Sequence, residues 1–405
     1  MRIAFISYEY PPDTGKGGIG TYVAQMATCM ARLGHDVHVF AGNHDRTTNE
    51  KTGLFLVHRV LCTDIIDFRS RVISVFTDEY NVQPFDLLES AEIHGNAWEV
   101  KKKFPCIPMV VRIHAPNSLV ESLKKRYIPL KSKLRYLIGA LRRLKWDLGY
   151  WRPYNREADP DYHFTKLADH ITAPSEAMKE WTIRHWNIPA ENIVVIPNLF
   201  SPSQKLLEIP IGESLSPKRV LFFGRLNVLK GMVNATKAME MVLRKYPDWQ
   251  FRIIGDNAAG PYPGVTMREW MKRQMHEVLD RVEFIDGLPY DQLPSKIADC
   301  EIVLLPSLFE SFSYTCAEAM AAGKAIVGSK SGGMVDLLQG GHCGLLTDPE
   351  SSAEIKEAVS YLIENPSARH DLGVKARQRV LEVYDAGPVG NEFDTFYRSV
   401  GGWKK

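Results

Sequence analysis

The stretch Ile302-Val-Leu-Leu-Pro306-Ser-Leu-Phe-Glu310-Ser-Phe-Ser-Tyr-Thr-Cys-Ala-Glu318-Ala-Met-Ala-Ala-Gly323 changes character twice within 22 residues. Ile302 to Leu305 is free of charge and of the length of a buried strand. Ser307 to Ser313 reads as a loop. Tyr314 to Ala322 predicts a helix closed by Gly323, because glycine accepts the left-handed backbone that follows many helices. A strand, a loop at its carboxyl end and a helix returning beside it make one repeat of a parallel α/β sheet. Glu310 precedes the helix and Glu318 rides on it. A carboxylate accepts hydrogen bonds from two neighbouring hydroxyls, while free N–H groups of a first helical turn favour phosphate, so the segment suits a sugar, a ribose and a diphosphate. Taken alone, the two acids leave another reading open, in which one favours the helix dipole and the other faces water.

Outward from this repeat, short apolar runs alternate with helical patterns over the whole chain, which predicts parallel sheets covered by helices. In the first half the strand candidates are Arg2 to Ser7, Asp36 to Ala41, Met109 to Ile113 and Ile193 to Ile196, with Gly20 to Leu33 a helix closed by Gly34. In the second half they are Arg219 to Phe223, Phe251 to Ile254, Val282 to Ile285, Ile302 to Leu305 and Ala325 to Gly328. Between the halves lies Pro197 to Lys218, rich in Pro and Ser, which predicts a linker. At 405 residues the chain is long enough for two cores.

Composition narrows the function classes. A net charge of +2 does not suggest a nucleic-acid partner. No apolar stretch is long enough to span a bilayer, and the opening Met-Arg-Ile-Ala-Phe-Ile-Ser lacks the small-residue cleavage site of a secretory signal, so a cytoplasmic location is expected. The six cysteines are scattered without a C-x-x-C pair, as expected of reduced, half-buried fillers.

Three further constellations sit at strand ends. Gly15-Lys-Gly17-Gly18-Ile-Gly20 formally matches G-x-G-x-x-G. The insertion Tyr8 to Thr14 and the lack of an acid after the second strand argue against a dinucleotide fingerprint, which leaves a side-chain-poor loop that a phosphate can approach. In Phe223-Gly-Arg225-Leu-Asn-Val-Leu-Lys230-Gly231, two cations follow the first strand of the second half, where an arginine fork and a lysine point charge can offset charge growing on a leaving diphosphate. Met109-Val-Val-Arg112-Ile-His114 puts a histidine at the end of an apolar strand, where open α/β sheets bind ligands. Each also has an ordinary structural reading as a surface turn, a solvated loop or a structural histidine.

The Glu310-x7-Glu318 spacing resembles the Glu-x7-Glu motif of the retaining glycosyltransferases of family four, and the resemblance spans nearly the whole chain, most strongly Arg219 to Pro349. It implies an α/β fold of the GT-B type, two Rossmann-like domains with parallel sheets facing across a cleft. Residues 1–200 would form the acceptor side, 201–385 the nucleotide-sugar side, and 386–405 a helix crossing back to the first domain. The resemblance further implies that Glu310 binds the donor sugar's hydroxyls and Glu318 the ribose. Arg225 and Lys230 would clamp the diphosphate, Gly17 and Gly18 would sit against it, and His114 would lie near the donor sugar and reacting carbon. Phe312, Ser313, Tyr314 and Thr315 would offer backbone N–H groups, and Leu288 joins the donor-binding set. No metal is expected. The implied donor is a UDP-hexose, glucose first, with GDP-mannose next, and the acceptor a hydroxyl of a polysaccharide, glycolipid or lipid-linked glycan. Retention in the family is generally explained by front-face displacement. A catalytically silent sugar-nucleotide binder and a nucleotide-sugar epimerase of the same fold are the alternatives.

Asp159-Pro-Asp161 spells the D-x-D of metal-dependent transferases of another fold, but here it reads as a helix start. No His/Cys cluster has zinc spacing, and no G-x-S-x-G elbow occurs. The most individual segment is Leu119 to Arg152, with cations at Lys124, Lys125, Arg126, Lys131, Lys133, Arg135, Arg142, Arg143 and Lys145. Helical placement puts Leu137, Leu141 and Leu144 on one side and much of the charge on another, which suits either an anionic membrane surface and a lipid-linked acceptor or a solvated face. The sequence departs from the family pattern at Ser313, where glycine is usual, at Asn198-Leu-Phe in place of Asn-Gly, and at Val335-Asp336 in place of Pro-Glu. These changes bear on the donor sugar's identity and remove no group that carries chemistry.

Overall fold

The computed structural model describes residues 1–15, 17–212 and 216–401. Lys16 of the glycine loop, 213–215 of the expected linker and 402–405 of the expected tail lie outside the described residues. The chain forms two units, one built from residues 1–117, 155–201 and 383–401, the other from 118–154 and 202–382.

The first unit is built on an eight-stranded sheet of β1 (Arg2–Ser7), β2 (Asp36–Asn43), β3 (Thr48–Lys51), β4 (Leu56–Leu61), β5 (Leu87–Ala91), β6 (Met109–Arg112), β7 (His170–Ala173) and β8 (Ile193–Val195), in the order β3-β4-β2-β1-β5-β6-β7-β8. All neighbours pair in parallel except β3 with β4, an antiparallel edge that the sequence did not predict. The four strands expected in this half all form. β4, β5 and β7 escaped the pattern because polar residues interrupt their apolar runs: His58 and Arg59, Glu89, and His170 and Thr172. Glu89 is fully enclosed and tolerable there because Tyr22 donates to Oε1 at 2.7 Å and Tyr397 donates to Oε2.

Helix Gly18–Arg32 follows β1. Tyr22, Val23, Met26, Ala27 and Met30 are buried at the spacing of one helical face, and Gly34 behind it takes φ +86°. Helix Ala386–Val400 also belongs to this unit. It buries Val389, Phe393 and Tyr397, and Asp394 Oδ1 lies 2.6 Å from His35 Nε2.

The second unit holds an all-parallel six-stranded sheet of β9 (Lys218–Phe223), β10 (Trp249–Ile254), β11 (Val282–Ile285), β12 (Ile302–Leu305), β13 (Ala325–Ser329) and β14 (Leu345–Thr347), in the order β11-β10-β9-β12-β13-β14. Its core joins Val220 and Phe222 of β9, Phe251 of β10 and Ile302 of β12 to Met239, Met271 and Val359 from the covering helices. β14 is three residues long, and no periodicity is readable over so short a run.

Residues 118–154 pack with the second unit although the chain enters and leaves them from the first. The reason is local. Tyr127 packs against the second unit's core and its hydroxyl accepts from Asn234 Nδ2 at 3.4 Å, while Arg126 pairs with Glu350 at 3.2 Å. Of the cysteines, five are buried and Cys106 is exposed, so the expectation of half-buried fillers is corrected; all six are free. Among the described residues no helix is long and apolar enough to cross a membrane.

Candidate active site

In the second unit the strand order turns at β9, with β10 and β11 on one side and β12 to β14 on the other. The loops leaving the carboxyl ends of β9 and β12 lie at this switch point, the place at which parallel sheets commonly hold ligands. The β9 loop presses on the β12 loop through Gly231. At φ +72°, a Cβ on that residue would lie 1.8 Å from the Pro306 carbonyl oxygen, so only glycine permits the approach. Leu308 N–H completes the tie by donating to the Leu229 carbonyl at 2.8 Å.

This contact delivers Lys230 to Glu310, and its ammonium pairs with Oε1 of the carboxylate. Ser307 Oγ donates to the same oxygen at 2.8 Å. The Glu310 backbone is held from the far side, where Gly333 N–H donates to its carbonyl at 2.6 Å and Gly332, at φ +66°, leaves no room for a Cβ. Arg225 projects from the same β9 loop, exposed and without an ion pair among the described residues. Its guanidinium is available to a bidentate anion.

The predicted helix after Glu310 runs Tyr314–Ala321, and Ser313 is its cap. Ser313 Oγ accepts from Cys316 N–H at 3.3 Å and lies 3.0 Å from Thr315 Oγ1. The residue that departs from the family glycine thus anchors the first turn. Phe312 and Ser313 are buried, whereas Tyr314 and Thr315 are half-buried. Glu318 is 8% exposed and its carboxyl group makes no hydrogen bond or ion pair among the described residues. Burial pushes it up to about 8. Beyond β11, Leu288 is half-buried beside Gly287, where a Cβ would meet Asp256 Oδ1 at 2.5 Å. Two residues on, the Tyr290 hydroxyl is pushed up to about 12, first by burial and then by the neighbouring Glu318 carboxylate.

Sequence reading missed Ser307, Gly332 and Tyr290 at this site. Glycine at 332 was visible, but its contact with Glu310 spans the gap between two strand-end loops, which spacing does not encode.

The first unit carries the remaining predicted residues. Gly17 caps helix Gly18–Arg32 in extended conformation, and the first turn contains no acid. A Cβ on Gly17 would meet Glu9 Oε2 at 3.0 Å, whereas Gly18 faces open space. His114 is buried just after β6. Its backbone N–H donates to Glu92 Oε2 at 2.9 Å, and Nδ1 lies 3.0 Å from the Arg112 carbonyl. That contact assigns the ring hydrogen to Nδ1 and leaves Nε2 as an acceptor, buried and without a partner among the described residues.

Asp159 is the cap of helix Pro160–Thr165, as the helix-start reading expected, and also accepts from Trp186 Nε1 at 3.2 Å. Asp161 accepts from the backbone N–H groups of His94 and Asn117 at 3.0 and 2.9 Å. Among the described residues the fold assembles one group of potential metal ligands that sequence spacing concealed, His38, His58 and Glu79. Its two imidazoles hydrogen-bond each other at 2.8 Å, and the Arg2 guanidinium lies 3.2 Å from His38, a cation where a metal would add another. We read it as a structural network of paired strands.

Comparison with known proteins agrees with this anatomy. The family model described as Glycosyltransferase Family 4 matches residues 16–204, and that of glycosyl transferases group 1 matches residues 207–379. The glycogen synthase of Mycobacterium tuberculosis is 23% identical over 412 residues, covering 95% of this chain and 91% of the relative. Among solved structures, the sucrose-phosphate synthase of Thermosynechococcus elongatus superposes with a TM-score of 0.74 at 19% identity, covering 98% of each chain. HepE of Anabaena, in complex with UDP-glucose, does so with a TM-score of 0.66 at 16% identity, covering 98% of this chain and all of that one. Matched in both halves by these family models and carrying the GT-B fold, the chain belongs to the group 1, family-four glycosyltransferases.

Proposed function

We propose that this glycosyltransferase moves a hexose from UDP-glucose to a hydroxyl of a glycan, glycolipid or lipid-linked acceptor on the cytoplasmic side, with retention of the anomeric configuration. GDP-mannose is the second candidate donor. The observation that carries the reading is the convergence of Lys230, Glu310 and the capped helix Tyr314–Ala321 at the switch point of one parallel sheet. Glu310 accepts from the sugar hydroxyls, and Glu318 accepts from the ribose. Arg225 and Lys230 neutralise charge as the diphosphate leaves, with the N–H groups around Phe312, Ser313, Tyr314 and Thr315 adding fixed donors and Leu288 lining the nucleoside side. In the first unit, the Gly17 and Gly18 loop supplies backbone N–H groups for phosphate, and His114 Nε2 supplies an acceptor for a sugar hydroxyl.

In front-face displacement, the acceptor oxygen bonds to the anomeric carbon as the bond to the diphosphate oxygen breaks. The electron pair leaves with the diphosphate, and a phosphate oxygen takes the acceptor's proton. Glu310 then positions the sugar and is not the nucleophile. UDP-glucose complexes of a structural neighbour support the donor choice. Segment 119–152, in which Lys131, Lys133, Arg135, Arg142, Arg143 and Lys145 have no ion pair among the described residues, rests in this reading on an anionic membrane face. Incubation with a panel of sugar nucleotides tests the proposal. Release of nucleotide with an α-linked product by NMR is the expected result, a β linkage would overturn retention, and isomerised sugar without transfer would point to an epimerase.

A further inference from the structure

Helix Leu130–Arg142 presents its apolar stripe outward. Leu130, Leu134, Ile138 and Leu141 are 65, 47, 52 and 56% exposed. At about 100° per residue they fall within about 80° of arc. This corrects the sequence expectation, which aligned Leu137, Leu141 and Leu144: Leu137 is half-buried, and Ala140 is the helix's buried contact. Beyond the helix, Leu144 and Trp146 are 97 and 86% exposed. The turn carrying them is built rather than loose. Tyr136 Oη donates to Asp147 at 2.5 Å, the same carboxylate accepts from Gly149 N–H at 3.0 Å, and the Tyr136 ring packs onto Gly149.

Charge selects the occupant of this ridge. Residues 130–146 contain Lys131, Lys133, Arg135, Arg142, Arg143 and Lys145 and no acid. None of these six cations is ion-paired among the described residues. A protein partner or a second copy of this chain, itself carrying the same cations, would have to supply a matching block of acids, whereas a lipid surface supplies negative headgroups at the depth of the cations and hydrocarbon beneath them.

We propose that the Leu130–Leu134–Ile138–Leu141 ridge, with Leu144 and Trp146 at its end, inserts into the interfacial layer of an anionic bilayer and lies in its plane. This rests on the membrane contact proposed above and deepens it, because adsorption by charge alone would leave the apolar stripe in water.

The test uses the full chain floated with phosphatidylcholine vesicles with and without phosphatidylglycerol, and with brominated phosphatidylcholine included as a quencher. The wild type is expected to float only with the anionic vesicles, with binding reduced by salt, and its Trp146 emission to be quenched, a signal absent in Trp146→Phe. Leu134→Ser combined with Ile138→Ser keeps every charge and is expected to weaken partitioning at least about tenfold. Arg142→Glu with Arg143→Glu keeps the ridge and is expected to abolish the preference for anionic lipid. Equal flotation of wild type and the Leu134/Ile138 variant, with no quenching, would overturn insertion and leave charge adsorption standing. Failure of the wild type to float would overturn both. A dimer by gel filtration that the Leu134/Ile138 substitutions dissolve would overturn the lipid assignment in favour of a second copy.

Discussion

The Lys230 ammonium is held on the Glu310 carboxylate because Gly231 lets one strand-end loop lie directly against another. One side chain is assigned to the leaving group and the other to the sugar, so the pair couples the two halves of the donor. In the proposed reading an incoming phosphate would share the ammonium with the carboxylate, while the Ser307 hydroxyl stays on Glu310.

If Arg225 and Lys230 clamp the diphosphate as proposed, they act on the transition state more than on binding. Lys230→Ala and Arg225→Ala are each expected to lower kcat on the order of 10²-fold or more while weakening donor binding less. Steady-state kinetics with a separate measurement of nucleotide affinity checks this. Normal turnover in both variants would remove the diphosphate assignment.

Glu310→Gln and Glu318→Ala are expected to diverge. The first should slow transfer yet leave UDP affinity nearly unchanged, since the proposal gives Glu310 the sugar and not the nucleotide; the second should weaken UDP itself. Calorimetric titration of UDP separates them, and equal losses of affinity would merge the two roles.

Glu318 also gives stability a pH dependence with a defined sign. Its folded value of about 8 lies above the ordinary 4.5, so the folded chain keeps a proton that the unfolded chain loses between these values. The stability so contributed is complete below the lower value and is lost as pH rises through the upper one. Glu318→Gln cannot ionise, so its melting temperature should gain on the wild type as pH rises across that window. Parallel melting curves in pH would show that the carboxyl titrates normally.

A chelator is expected to leave activity largely intact. Fixed cations and helix N–H groups supply the electrostatics in this mechanism, and Asp159 and Asp161 are engaged as a helix cap and a backbone tie. Complete inhibition reversed by added metal would return those acids to the reaction.

The strand-to-helix repeat around Glu310 was legible because its signals are local: an uncharged strand, a periodic helix and a closing glycine. The same holds for the strands that carry His114 and Arg225. Strands β4, β5 and β7 were hidden by buried polar groups whose partners come from distant segments, as Glu89 draws on Tyr22 and Tyr397. Site support was hidden for a related reason. The grip of Gly332 on Glu310 and the cap formed by Ser313 are contacts of shape, and a sequence registers them only as a glycine in a loop and a serine before a helix. The outward turn of the 130–142 stripe depends on what the helix packs against, which its own periodicity does not state.

Helix Ala386–Val400 has a consequence for how the protein is made. Phe393 and Tyr397 fill the core of the first unit, and Tyr397 is one of two hydroxyls satisfying Glu89. The ribosome releases these residues only after it has synthesised the whole second unit. Until then the first unit lacks Phe393 and Tyr397 in its core and one of the two donors to Glu89, whereas every residue of the second unit, 118–154 and 202–382, has already been made. A chain cut short before residue 386 would therefore leave unfinished the unit whose first strand was made earliest, rather than the unit nearest the cut.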